Sequence, residues 1–389
     1  MKRRFSPAAA FWILCLLVLS AWSIPQAGSE SVDKDYTAKI LEYTTEKFFL
    51  TEFVDHLPAS ETVPSPLKIL GHIAGAPDIL DHSADIYKYM RALDAATPRV
   101  QVFSIGPTDE GREMVAVAVS AEENMARLER FKEIMARLAD PRGLKEEEAA
   151  RLVAEGIPVY WITGGLHSQE CGAPEMMMEL AYRLAVAESP HIQSIRKNMV
   201  VLMTPILEVD GWDKAVDVYL YKKENKDKKT IPAVYWGKYV FHDNNRDAVG
   251  LGLKLTENLI KAYFEWHPIV MHDLHESIPY LYTSTGTGPF NAWLDPITIN
   301  EWEELAFLEV SELTRRGVPG VWSHGFFDGW GSSYAFSVAH FHNSTGRFYE
   351  TYGGTGADTM VRTVGAESKR AWVRPNPPLE AVKWSFRNN

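Results

Sequence analysis

Cysteine is nearly missing from this chain, with Cys15 and Cys171 the only two among 389 residues. Basic charge is also in deficit. Forty Lys and Arg stand against 51 Asp and Glu, for a net charge of −11, with no basic stripe and no recognition helix, so nucleic acid is excluded as a partner. No internal repeat is visible. Only one long apolar run occurs, Ala8 to Trp22, and it is shorter than the roughly 20 residues that a membrane span needs. Lys2-Arg3-Arg4 precede it and Pro25-Gln26-Ala27 follow with a small residue, which is the pattern of a secretory signal over 1–27. The expectation is a secreted or periplasmic protein with no stable span once the signal is removed. Loss of Lys2, Arg3 and Arg4 lowers the net charge to −14. Cys15 leaves with the signal, so Cys171 has no partner for an intramolecular disulfide and reads as a small packing residue.

What the chain does have is apolar bulk and one unusual loop. A hydrophobic content of 46% supports a large core, and 12% aromatics suits a ring-lined cleft. The apolar run Val159-Tyr160-Trp161-Ile162 leads into Gly164-Gly165-Leu166-His167-Ser168-Gln169-Glu170. His-x-x-Glu alone arises readily by chance among 12 histidines. Its setting singles it out. Two glycines enter the turn, and Ala173 to Ala187 reads as a helix with Met176, Leu180 and Leu184 at i, i+4 and i+8. Imidazole nitrogen and carboxylate oxygen suit Zn²⁺, and a catalytic zinc site takes three protein ligands. Asp273-Leu274-His275 ends a second strand-like run, Pro268-Ile269-Val270-Met271, and offers the third. Alternation puts His272 on one face of that strand and Asp273 with His275 on the other, so one histidine of the two reaches a metal.

Taken in order, His167-x-x-Glu170, Asp243-Asn244-Asn245-Arg246, Asp273-Leu274-His275 and Phe348-Tyr349-Glu350-Thr351 resemble the motifs of the zinc carboxypeptidases, the carboxypeptidase A-like metallopeptidases. Upstream, Gly106-Pro107-Thr108-Asp109-Glu110-Gly111-Arg112 and the following Glu113 to Ser120 are similar to an early strand pair of that family. The resemblance runs from about Ala84 to the end of the chain. It implies one zinc ion per chain held by His167, Glu170 and His275, with Asp243 fixing the free imidazole nitrogen of His167. It implies that Asn245 and Arg246 grip the C-terminal carboxylate of a peptide, for which a planar guanidinium is suited. Glu350 becomes the general base that moves a proton from water to the leaving amine. The implied activity is a secreted zinc metallocarboxypeptidase acting at or near a peptide C-terminus. A zinc amidohydrolase or deacylase on the same scaffold, and a non-catalytic binding module, are the alternatives.

The chain departs from the family pattern in several places. No arginine lies between His167 and Glu170, and the asn-pro-asp-gly turn reads Glu208-Val209-Asp210-Gly211. Asp247 stands where a neutral amide is usual, which would weaken carboxylate binding. No oxyanion arginine is evident; Lys222 and Lys223 lie in that region, and Trp330, Tyr334 and Phe336 supply candidate lid rings, of which Tyr334 is preferred. Asp328 to Ala335 brackets the specificity pocket. Gly353-Gly354-Thr355-Gly356 lacks the lysine of a Walker loop.

Strands alternating with helices predict an α/β fold, a mixed and mostly parallel central sheet flanked by helices, with ligands at one strand-end edge. Residues 28–83 form a helical extension and 84–389 the catalytic domain. A helix is expected over Asp33 to His56, and a charged helical insertion over about 122–155, broken at Asp140-Pro141-Arg142-Gly143. Further expectations are a helix at Ala84 to Leu93, strands at Arg99 to Phe103, Asn198 to Pro205 and Pro268 to Asp273, and a helix at Thr298 to Arg316. Arg374 to Pro378 ends the regular pattern. Val382 to Phe386 is strand-like up to the last residues, which would suit part of a longer protein. Oligomeric state leaves no trace in the sequence.

Overall fold

The computed structural model describes residues 31–229, 242–277, 281–284, 288–323, 329–353, 356–363 and 381–389. The signal segment 1–27, Asp328 and Arg374 to Pro378 lie outside them. Described strands are β1 (Val100–Pro107), β2 (Glu113–Val119), β3 (Val159–Thr163), β4 (Val200–Thr204), β5 (Val270–Ser277), β6 (Leu281–Thr283), β7 (Val321–Trp322), β8 (Thr345–Tyr352), β9 (Met360–Thr363) and β10 (Ala381–Trp384). Described helices are α1 (Lys34–Tyr43), α2 (Pro66–Leu70), α3 (Ser83–Ala96), α4 (Glu122–Met125), α5 (Leu128–Ala139), α6 (Glu146–Glu155), α7 (Gly172–Val186), α8 (Pro190–Asn198), α9 (Val209–Glu224), α10 (Lys254–Trp266), α11 (Pro296–Arg315) and α12 (Ser337–His340).

Eight strands form one sheet in the order β1-β2-β4-β3-β5-β8-β6-β7, and β9 with β10 makes a separate antiparallel pair. The ladders β3–β4, β3–β5, β5–β8 and β6–β7 are parallel; β1–β2, β2–β4 and β6–β8 are antiparallel. The sheet is therefore mixed and mostly parallel, as the alternation of strands and helices predicts. Its centre carries the signature of a sheet covered on both faces: every residue of β4, Val-Val-Leu-Met-Thr, is buried. Helices supply that cover. α7 packs on β2 and β5, and α10 on β1.

Two helical expectations shorten in the structure. The helix from Asp33 stops at Tyr43, because Thr44 turns its hydroxyl back to the Ile40 carbonyl at 2.7 Å and Thr45 bonds the C-terminal segment through Asn388 at 3.2 Å. Tertiary partners there outcompete continued helix. The charged insertion divides into α4, α5 and α6, with a break at Arg127, whose φ of −121° is not helical, and a second at Pro141. Residues 31–83 do not stand apart. Tyr36, Ile40, Leu57 and Ile73 belong to the main hydrophobic core, and the Tyr36 hydroxyl donates to Glu179 on α7 at 2.9 Å.

Two sequence motifs about 100 residues apart touch each other. Asp210, at the start of α9, accepts from Thr108 Oγ1 at 2.8 Å, from the Glu110 backbone N–H at 3.0 Å and from Arg112 at 2.8 Å. The Thr108 to Arg112 turn is thus folded around the acid of Glu208-Val209-Asp210-Gly211. Glu208 caps α9 by accepting from the Gly211 N–H at 3.0 Å, and burial with Asp210 nearby pushes its carboxyl up to about 7. The usual value is 4.5, so folding favours the protonated form. No penalty exists below pH 4.5; it grows as the unfolded carboxyl ionises and is complete above pH 7. Glu208→Gln should therefore raise stability above pH 7 by about 3 kcal/mol at most, and leave it unchanged below pH 4.5. Urea unfolding of both proteins across that range checks the sign, and an equal offset at every pH would refute it.

Candidate metal centre

β3, β5 and β8 are consecutive parallel strands, so their C-terminal ends share one edge of the sheet. The loop that leaves β3 is held at several points. Gly164 N–H donates to Thr204 at 3.0 Å, its carbonyl accepts from Leu207 at 2.9 Å, and that of Gly165 accepts from Glu208 at 2.9 Å. Gly165 has φ of +58° and backs onto Ile206, 3.2 Å from where a Cβ would lie, so a side chain there is strained and crowded. Asn244 Nδ2 donates to the Leu166 carbonyl at 2.6 Å. Leu166, Ser168 and Glu170 are buried, leaving little freedom in the loop.

The loop brings His167 and Glu170 against His275 of β5, with one ligating atom from each within 4.8 Å of the others. Glu170 bridges the two imidazoles. Its Oε1 lies 2.7 Å from His167 Nδ1 and its Oε2 lies 2.9 Å from His275 Nδ1. Both far nitrogens meet carboxylates: His167 Nε2 is 3.3 Å from Asp243, and His275 Nε2 is 2.7 Å from Asp273. Burial opposes charge on His275, but Asp273 and Glu170 outweigh it and hold its pKa well above the usual range. Burial likewise opposes ionisation of Glu170, yet the two histidines bring it down to about 2. Two imidazole nitrogens and a carboxylate facing one point, each imidazole backed by an acid, fit a zinc ion.

His272 faces the other way, as alternation requires. Its Nδ1 is 2.9 Å from the Tyr160 hydroxyl, and burial with Arg347 beyond it holds the ring neutral. Glu350 of β8 is in register with His275, and neighbours in a parallel ladder share a face, so both stand on the same side of the sheet. The His275 and Phe348 rings, 6.0 Å apart, mark that same face.

The residues expected at the substrate divide. Asn245 is buried, its Nδ2 3.1 Å from His275 Nε2 and its Oδ1 accepting from the Ala335 N–H at 2.9 Å. Its carbonyl is taken by the backbone, and its NH₂ group is turned inward towards the His275 ring. Arg246 stays partly exposed, with its guanidinium 4.2 Å from the centre of the Tyr334 ring. The Asp247 carboxylate is turned inward, where it accepts from Gly252 at 3.1 Å and Leu253 at 3.0 Å. Its charge serves a turn. Lys223 is tied to Asp78, 3.1 Å away. Asp273 is the partner that motif reading passed over as a holder of His275. It is fully buried and also accepts from Thr163 Oγ1 at 2.8 Å. The available signal was its place two residues before His275, on the same strand face.

The zinc carboxypeptidase family model matches residues 86–321, more than half of the chain, and the protein belongs to that family. Glu350 lies beyond the matched stretch. No curated protein matches the chain. Among solved structures, a metallo-carboxypeptidase from Burkholderia cenocepacia shares 14% identity at a TM-score of 0.50, covering 79% of this chain and 65% of that one. Carboxypeptidase A from Helicoverpa armigera shares 15% identity at a TM-score of 0.46, covering 70% and 64%. The chain thus spans just under two thirds of both structures, and the likeness to the first, at this identity, speaks for the fold alone.

Asp273→Asn tests the support of His275. An amide can present its NH₂ group to Nε2, which moves the imidazole proton onto Nδ1, the atom that faces the metal. Zinc affinity should fall 10- to 100-fold. Competition against a chromophoric chelator measures it, and unchanged affinity would remove Asp273 from this role.

Proposed function

We propose that the protein is a secreted zinc metallocarboxypeptidase that hydrolyses peptide bonds at or near a substrate C-terminus. The observation that carries this reading is the convergence of His167, Glu170 and His275 at the strand edge where Glu350 stands in register. His167 and His275 supply Nδ1, Glu170 supplies its carboxylate, and Asp243 and Asp273 hold the far imidazole nitrogens. Zinc held there supplies a Lewis acid and lowers the pKa of water. Glu350 accepts the proton of the attacking water and returns it to the leaving amine. Arg246 pairs with the free carboxylate of the substrate, and the Tyr334 ring beneath keeps the guanidinium oriented. Export follows from the basic and then apolar pattern of residues 2–22.

Engagement of Asn245 inside the protein leaves Arg246 with less help at the substrate carboxylate. That observation favours a second reading, a zinc amidohydrolase or deacylase that does not require a free C-terminus. Paired substrates separate the two. A carboxypeptidase loses activity when the peptide C-terminus is amidated, whereas a deacylase does not.

Glu350→Gln should retain zinc and lower kcat by about 10²- to 10⁴-fold. Metal content measured alongside turnover checks both halves, and a variant with normal kcat would take Glu350 out of the mechanism. Arg246→Ala should lower kcat/KM for a peptide with a free C-terminus by roughly 10- to 100-fold, through loss of a charged hydrogen bond. The amidated peptide should be cleaved equally poorly by both proteins. If the variant handled the free-carboxylate peptide as well as the parent, Arg246 would have no part in recognition.

A further inference from the structure

α7 is apolar on two sides. Met177, Met178, Ala181, Tyr182 and Ala185 are buried towards the core. The stripe that the sequence singles out, Met176, Leu180 and Leu184, packs at the margin of that core and also lines a cavity of about 700 Å³. A second apolar face on a helix normally calls for packing partners. The same cavity is lined by Phe49 and Phe53, by Leu313 of α11 and by Trp384 of β10. Tyr349 and Thr351 of β8 also reach it. They alternate with Glu350, so the cavity lies on the opposite face of the sheet from the metal centre. The volume is that of a small-molecule site.

Charge on the α7 wall does not balance. Glu179 receives Arg183 at 2.8 Å and Arg387 at 2.9 Å, and among the described residues it is the one acid paired with either. All three side chains line the cavity. Two guanidiniums thus share one carboxylate, whose pKa they bring down to about 2 against the effect of burial. Glu175 adds no negative charge near neutrality, because burial and then Asp81 push it up to about 8. The other acids that line the cavity each have a cation of their own: Glu312 has Arg315, Glu52 has Arg316 and Glu309 has Arg347. Within this cluster one guanidinium has no carboxylate of its own beside an apolar channel, and such a charge favours an anion.

We propose that this cavity binds one amphipathic carboxylic acid, its aliphatic chain laid along Met176, Leu180 and Leu184 and its carboxylate at Arg183. Met176 to Leu184 spans about 12 Å of helix, enough to seat a medium-length chain. A carboxylate there brings the cluster to neutrality, and the chain fills the second apolar face of α7.

Displacement of a fluorescent polyene fatty acid by dodecanoate, on the full chain with and without zinc, tests the assignment. Dodecanoate should displace one equivalent per chain at micromolar concentration in both metal states. Leu180→Trp fills the channel and should weaken binding at least tenfold. Arg183→Met leaves Glu179 and Arg387 as a balanced pair, so the fold is retained; it should weaken dodecanoate at least tenfold and dodecanol little. No saturable binding, binding that disappears with the zinc, or binding indifferent to Leu180→Trp would overturn the site. Equal losses for dodecanoate and dodecanol in Arg183→Met would overturn the role of the anionic head.

Discussion

Parallel pairing of β5 with β3 on one side and β8 on the other is the constraint on which the metal centre depends. Parallel strands run out at a common edge, so the loop after β3 and the last residues of β5 and β8 are brought together without any long connection. The register then selects side chains. A shift of β8 by one residue would turn Glu350 to the far face and put Tyr349 or Thr351 beside His275. The ladder is therefore part of the candidate site, and the buried residues of β3, β4 and β5 support it by holding that register.

Acids recur in the support of this edge, each answering a different need. Asp243 and Asp273 lie against the Nε2 atoms of His167 and His275, while the Nδ1 atom of each ring faces Glu170. Asp210 gathers the Thr108 to Arg112 turn, and Glu208 caps α9 beside the loop that carries His167. Glu179 joins three distant parts of the chain, taking hydrogen bonds from Tyr36, Arg183 and Arg387. Removal of the acid from such a cluster leaves its cations buried without a counter-charge, so these contacts act more as constraints on the arrangement than as net sources of stability. The net acidity of the chain has a structural use beyond its surface.

Much of the centre was legible in the sequence because its motifs are local. His167 and Glu170 lie on one short loop, and period-two alternation on β5 separates His275 from His272 without reference to any other element. Asn245 shows where such reading ends. Its type and its place beside Arg246 are those of a substrate ligand, yet it is buried and its carbonyl is taken by the backbone of Ala335, a residue 90 positions away. The stripe of α7 shows the same limit. Met176, Leu180 and Leu184 are spaced as a core face, but a helix apolar on two sides does not reveal which side meets the sheet.

By itself the sequence determined the fold class, the family and the identities of the grouped metal-binding candidates, because these rest on residue type, period and short spacing. Tertiary structure alone decided that Asp273 backs His275, that Asp210 organises the Thr108 turn, and that Asn245 and Asp247 face inward. It also decided that the second face of α7 borders a cavity. Each of these depends on where chain segments far apart in sequence come to lie, and hydrogen bonding across such distances leaves no periodicity to read.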